Sequence, residues 1–425
     1  MVEEIKPKIS YLKVLKRQGY RNLWIGSAIS IIGNHIHYIA MLAYVYHLTG
    51  KALDLGFLMI ISAIPNLVFG PFMGVLADRL NRRYMMITSD LARCLLAFMF
   101  PLTQTLWQIY TLVFLMGIAR TSYSPAEFSL LPNLVKKDEL IVANSLEVTT
   151  MNITMIIGPA LGGLIIGIYG TTPAFIANAL TFLFSAVMVS LIREILGKEK
   201  ADARKAGMLS DFKEGLRFLW GDRIMRYIII VFSIVMVLAS GINPLIIVYT
   251  HKVLGKGDAE FGYLISILGM GGIIGGFLYG LIGKRVSKMQ VMIYNLLIDG
   301  FVMCLLGFTS SYIIAGVIFF IFGMINTAFH VAIMTLLQEY IPDNLRGRII
   351  GVFSLIFDPL RMLSMGIYGF FADIFSVGTL FIASGLFEIA TGGFARLMPG
   401  YRKIREVEKI YTNDYVKITK KSKKC

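Results

Sequence analysis

The chain has 425 residues, of which 56% are hydrophobic and only 16% charged, against roughly 25% charged in a soluble globule. So few charges cannot cover a soluble surface, which excludes a soluble enzyme, a disordered chain and a coiled coil. The 29 Phe, 20 Tyr, 23 Met and 41 Gly suit an all-α integral membrane protein, where aromatic rings anchor helices and glycines let them approach.

In chain order, runs near the roughly 20 residues needed to cross a bilayer predict twelve spans, at 23–46, 54–77, 84–105, 109–131, 141–169, 173–192, 227–250, 260–283, 289–309, 312–341, 347–375 and 377–398. The first run is too long for a signal h-region and is followed by no small-residue cleavage site. Cys94 and Cys304 fall in apolar segments and Cys425 ends the chain, so no disulfide or zinc framework is expected.

Charge placement sets the orientation. With twelve spans the termini share a side with the loops at 78–83, 132–140, 193–226, 284–288 and 342–348. Nearly all of the 41 Lys and Arg lie there, the opposite side carrying Lys51, Lys252 and Lys256. That bias makes the basic side cytoplasmic in a multi-pass cell-membrane protein. The net charge of +15 is then topological: it calls for the bilayer as partner and no nucleic acid. The stretch 193–226 separates six spans from six, and Leu209, Phe212, Leu216 and Leu219 recur in it at helical spacing, predicting an amphipathic surface helix. The expected organisation is a bundle at 1–192, a linker at 193–226, a bundle at 227–398 and a cytoplasmic tail at 399–425.

Shifting the sequence by 206 residues sets Gly74 on Gly280, Arg79 on Arg285, Phe114 on Phe320 and Gly117 on Gly323. With an even number of spans in each half this is a parallel repeat, the arrangement of transporters that open a midplane site alternately to either side.

After span 2 the chain reads Gly74-Val-Leu-Ala-Asp78-Arg79-Leu-Asn81-Arg82-Arg83, which closely resembles motif A of the major facilitator superfamily. The glycine permits close helix packing, and the carboxylate suits a neighbouring helix N-terminus or an arginine. Asn81 replaces a glycine and can also adopt the left-handed conformation. In the second half Lys284 occupies the Asp78 position. The resemblance implies a cytoplasmic latch built on Gly74, Asp78, Arg79, Arg82 and Arg83 in the first half only. Leu48-Thr49-Gly50, Ser124-Pro125-Ala126-Glu127, Ala143-Asn144-Ser145-Leu146 and 211–220 look like the bacterial drug:proton antiporter-3 group, which includes macrolide efflux and enterobactin export proteins. Asn34 stands where that group often carries Asp. Gly158-Pro159-Ala160-Leu161-Gly162-Gly163 resembles motif C, associated with antiporters; Pro159 removes a backbone donor and the glycines allow close approach.

Ionisable residues inside a membrane are costly and mark function. By depth, Arg120, Asp299, Asp358, Arg361 and Glu388 lie furthest in, while Asp90, Arg93, Glu127 and Glu147 lie nearer the basic side. Arg120 corresponds approximately to the helix 4 arginine that the family links to proton transfer, with Glu147 as a partner carboxylate or the other half of a structural ion pair. Asp358 and Arg361 can pair within one helical turn. Asp299 and Glu388 have no local counter-charge and read either as proton carriers or as neutral structural acids. Asn34, His35, His37, Asn243 and His330 are candidates to line a cavity, although His35 and His37 lie about 200° apart on a helix and at most one faces it.

The reading is a twelve-helix secondary transporter that expels a bulky amphipathic compound in exchange for protons, as a monomer. No P-loop run occurs, so ATP is not expected as its energy source; no cofactor or metal and no enzymatic activity is expected. A lipid or metabolite transporter of the same fold and a non-transporting membrane sensor are the alternatives.

Overall fold

The computed structural model describes residues 11–193, 216–217, 219–283, 286–341, 343–397 and 401, without the side chains of residues 71, 75, 78, 223, 343–348, 350, 351 and 354. Every regular element among them is helical. The expected linker helix and tail therefore lie largely outside the described residues. Of that helix, Leu219 is buried and Leu216 packs beside it against the core of the second half.

A short helix α1 (Tyr11–Leu15) precedes α2 (Gln18–Thr49), α3 (Ala52–Arg79), α4 (Arg82–Met99), α5 (Leu106–Leu130), α6 (Leu140–Tyr169) and α7 (Thr171–Ser190). The second half holds α8 (Arg223–Ser240), α9 (Leu245–Lys252), α10 (Asp258–Ile282), α11 (Lys288–Phe308), α12 (Tyr312–Tyr340), α13 (Asp343–Ile374) and α14 (Val377–Leu397). Helices satisfy their own backbone groups, the condition for crossing hydrocarbon. Eleven stretches are long and apolar enough to do so. The twelfth span is α5, whose 25 residues suffice in length but are diluted by Gln108, Arg120, Ser122 and Tyr123.

Local chemistry sets the boundaries. α2 stops where Gly50 takes a left-handed φ of 66° and donates its N–H to Tyr46 O, a C-terminal cap that glycine forms without steric cost. Asn81 has φ −70° and ψ 111°, and its Oδ1 accepts from Arg83 N and Tyr84 N at the start of α4. The left-handed conformation expected of Asn81 is thus not used: an Asn side chain caps a helix N-terminus better than glycine does. Asp222 caps α8 in the same way. The sequence Gly241-Ile-Asn243-Pro244 divides one span into α8 and α9, because Pro244 cannot donate into the helical ladder.

By contacts the chain resolves into two units, Met1–Ala203 with Gly255–Ser266, and Arg204–Leu254 with Ile267–Cys425. In the first, α2 packs on α6 and α7, and α4 packs on α5 and α7; in the second, α8 packs on α13 and α14, and α11 on α12 and α14. The 206-residue repeat is visible in the elements themselves. Ala52, Arg82, Leu106 and Thr171 open α3, α4, α5 and α7; Asp258, Lys288, Tyr312 and Val377, each 206 residues on, open α10, α11, α12 and α14. Even a packing detail recurs. A Cβ on Gly117 would lie 2.6 Å from Pro65, and one on Gly323 would lie 2.0 Å from Leu268 O, at the corresponding contact of the other unit.

The glycines of the motif C stretch are used for close approach. A Cβ on Gly158 would fall 2.4 Å from His35 Cβ, one on Gly162 3.0 Å from Ile36 Cα, and one on Gly163 2.9 Å from Gly262 Cα. Gly74 is different: nothing lies within 4 Å of the Cβ position, and the same holds for its repeat partner Gly280. Among the described residues no neighbour therefore takes up the packing role that the sequence suggests for Gly74. Gly158→Ala is expected to lose about 1–3 kcal/mol through overpacking, whereas Gly74→Ala leaves stability unchanged or raises it by up to about 1 kcal/mol through helix propensity. Thermal unfolding of the two variants in detergent, followed by tryptophan fluorescence, checks the contrast.

Candidate functional site

Arg82 and Arg83 open α4, and the cap on Asn81 directs them along the basic end of the first unit. Arg82 donates from Nη1 to Ser129 O at 2.8 Å, and Arg83 donates from Nη2 to Ser190 O. Both acceptors lie in the last turn of a helix, α5 and α7, where unpaired carbonyls and the negative end of the dipole favour a cation. Arg79 is exposed, and the side chain of Asp78 lies outside the described residues. At the same end Arg17 forms a bidentate pair with Glu139, one arm at 3.2 Å, and Glu139 also accepts from Lys136 N at 3.0 Å.

A polar network runs through the first unit. Asp90 and Arg93 are one turn apart on α4 and pair with each other while almost fully buried. The Arg93 guanidinium is clamped between the rings of Tyr123, at 4.7 Å, and Phe182, at 4.3 Å. Desolvation strengthens such cation–π contacts. Tyr123 Oη lies 3.1 Å from Ser27 Oγ and 3.5 Å from Ser185 Oγ, and Ser27 donates to Glu127. This joins α2, α4, α5 and α7 through side chains of which only the charged ones stood out in the sequence.

Arg120 and Glu147 do not form an ion pair. Arg120 is exposed and is coupled electrostatically to Arg93 and His35, whereas Glu147 is coupled to Glu127 and has a buried Oε1 that meets no donor. The two histidines separate as helical geometry requires. His37 is buried with its ring edge-on to Phe100 at 4.7 Å and to Phe175 at 5.2 Å, a core position that removes it from the cavity candidates. His35 is half-buried and packs on Gly158, and Asn34 is half-buried beside it. Asn243 is exposed at the α8–α9 break and donates to Ser240 O at 3.2 Å; His330 is exposed on α12. Asp358 and Arg361 pair locally at 3.4 Å, the structural alternative raised for them, since Arg361 serves as the counter-charge on its own helix.

In the second unit the two isolated acids come together. Asp299 on α11 and Glu388 on α14 are 89 residues apart in sequence, yet their carboxyl groups are each other's electrostatic partner in the fold. Asp299 is 3% exposed and Glu388 0%. The helices can meet this closely because glycine faces glycine: a Cβ on Gly300 would lie 2.4 Å from Gly385 O, and one on Gly378 2.7 Å from Gly307 O. The amide of Asn326 on α12 reaches Asp299 Oδ2 at 3.5 Å. Asp299 Oδ1 and both oxygens of Glu388 meet no donor. Two carboxylates only accept hydrogen bonds, so their contact becomes a bond when one of them carries a proton. Asn326 was not a candidate from sequence; the repeat could have found it, because it is the partner of Arg120.

The fold and these intramembrane networks define a polytopic membrane transporter rather than an enzyme. A family model described as Major Facilitator Superfamily matches residues 23–365, and the chain belongs to that superfamily. Macrolide efflux protein A of Streptococcus pyogenes is 23% identical over 397 residues, covering 92% of this chain and 97% of that protein. The multidrug efflux pump Tap of Mycolicibacterium fortuitum is 25% identical over 391 residues, covering 88% and 93%. Among solved structures, a mutant form of the nucleoside transporter NupG superposes with a TM-score of 0.79 at 11% identity over 89% of this chain and 99% of that one, a likeness of fold alone.

The Arg17–Glu139 pair ties the start of α2 to the segment before α6, and Glu139 is 1% exposed. Glu139→Ala removes the acceptor of three hydrogen bonds and is expected to destabilise the first unit by about 2 kcal/mol, with a smaller loss for Glu139→Gln, which keeps an acceptor. Denaturant titration of the two variants in lipid nanodiscs measures the difference.

Proposed function

We propose that the chain is a proton-driven exporter of a bulky amphipathic compound, a drug, macrolide or siderophore, and that the Asp299–Glu388 pair carries the coupling proton. The pair is the observation on which the reading rests. Its acids face each other in a buried site with unpartnered oxygens and without a basic neighbour among the described residues. The substrate class is supported by relatives that match almost the whole chain, the macrolide and multidrug efflux proteins. Export from the cytoplasm is supported by the motif C glycines in α6, and the excess of basic residues in the loops on one side supports reading both termini as cytoplasmic.

The coupling has a physical basis. With one proton between them, the carboxyls hold α11 against α14. Without it, two negative charges at hydrogen-bond separation repel by on the order of 5 kcal/mol at an effective dielectric of about 20. The Gly300–Gly385 contact is too tight to absorb that strain elastically, so proton release must move the helices or admit water. Motif A residues Asp78, Arg79, Arg82 and Arg83 then hold the cytoplasmic end in alternate states.

Proton release in inverted membrane vesicles, followed with a pH-sensitive dye while macrolides, cationic dyes and catecholate siderophores are screened, tests the proposal. At least one compound is expected to drive proton movement, and Asp299→Asn and Glu388→Gln are each expected to reduce it at least tenfold while leaving the protein folded. Undiminished flux in both variants removes the pair from the mechanism. Flux of lipids or small metabolites, with none of these compounds transported, replaces the substrate class.

A further inference from the structure

The 206-residue repeat gives the Asp299–Glu388 pair a counterpart in the first unit. The shift that sets α4 on α11 and α7 on α14 sets Arg93 on Asp299, Phe182 on Glu388, Tyr123 on Phe329 and Arg120 on Asn326. These residues are also neighbours in space. Arg93 lies over the rings of Phe182 and Tyr123 and is coupled to Arg120, just as Asp299 touches Glu388 and Asn326. One locus is therefore built twice, with its charge inverted. In the first unit it holds a guanidinium, stacked on aromatics and balanced by Asp90. In the second the guanidinium and the ring beneath it are replaced by two acids, and Leu296 stands where Asp90 would be.

We propose that the α11–α14 locus is a cation site filled by an exchangeable proton, and that Arg93 is the covalently tethered cation of the same locus in the first unit. The two solutions answer one electrostatic requirement. A buried carboxylate needs a positive charge within reach or must be neutralised. Asp90 finds that charge three residues away on its own helix. Asp299 faces Glu388 from α14 and Asn326 from α12, and Cys304 of α11 and Tyr368 of α13 lie in the field of Glu388; none of these is a cation. Asp90 and Arg93 in turn face Tyr123 and Glu127 from α5, Ser185 and Phe182 from α7, and Arg120. The small residues follow the same logic. Cys94 and Ala179 stand in the first unit where Gly300 and Gly385 stand in the second. A gap wide enough for a guanidinium tolerates side chains that a gap closed on a proton does not.

The inference rests on reading Asp299 and Glu388 as the proton-carrying pair, but its test needs no substrate. Infrared difference spectra of the purified protein in lipid, recorded between acidic and alkaline pH, report the carbonyl stretch of protonated carboxylic acids. A band is expected that is shifted in Asp299→Asn and in Glu388→Gln, lost in the Asp299→Asn, Glu388→Gln double variant and retained in Arg93→Lys. Arg93→Met removes the tethered cation, so Asp90 must then take a proton: a second band of comparable area is expected, absent from the Arg93→Met, Asp90→Asn double variant and unchanged by adding Glu127→Gln. No second band in folded Arg93→Met overturns the equivalence of the two loci. If Arg93→Met does not fold, Arg93→Gln is read in the same way, and a failure of both to fold while either folds once Asp90→Asn is added supports the unbalanced carboxylate. Exchange of potassium for sodium at constant ionic strength is expected to leave the wild-type band unaltered; its loss in sodium would make the site a sodium site and overturn the proton assignment. Spectra that behave as expected alongside a failed efflux screen would leave the cation site standing and remove only the exporter reading.

Discussion

A charge enclosed among helices in a membrane has to be balanced within the reach of its own side chain, because no water is there to do it. Much of what is specific in this chain follows from that constraint. Arg93 is held between two rings and beside Asp90, Glu127 is met by Ser27, and Arg361 answers Asp358. Charges toward the basic end are met at helix termini, where Arg82 and Arg83 close the last turns of α5 and α7. At α11 and α14 the balance of two facing acids is left to something that is not part of the chain.

Helix contact is governed by a second, steric condition that acts together with the first. Lipid gives apolar helices little reason to prefer one another over the bilayer, so close approach depends on small residues. The motif C glycines set α6 on α2, and Gly300 and Gly385 set α11 on α14. The latter contact is what brings two acids face to face. Packing and electrostatics are thus coupled at one place: a glycine-mediated helix contact encloses two acids that face each other.

The spans, the repeat and the superfamily were legible in the sequence because each rests on a local or periodic signal: apolar run length, a fixed offset, a ten-residue motif. Glu388 and Asp299 stood out for depth, but their meeting was not legible, since it depends on which faces of two helices 89 residues apart turn together. At Arg120 and Glu147 similar depth suggested a partnership, and each is instead coupled to other residues, Arg93 and Glu127. His37 shows the same limit, since depth alone does not distinguish a cavity wall from an aromatic core. The offset of 206 held more than its few matched glycines suggested. It pairs positions whose residues differ in sign, and a comparison that scores likeness passes over them.

The composition of α5 has a consequence for how the protein is made. Among the described helices of membrane-spanning length it alone falls short in apolar character, and Arg120 near its middle is worth roughly 3 kcal/mol against entry into hydrocarbon as a single helix. Its polar groups find partners on α2, α4 and α7: Tyr123 beside Ser27 and Ser185, Glu127 beside Ser27, and Ala119 O accepting from Ser89. Two of those helices are synthesised before it and one after. α5 therefore enters the bilayer as a member of a group rather than by its own hydrophobicity, and its final seating waits for α7 to leave the ribosome.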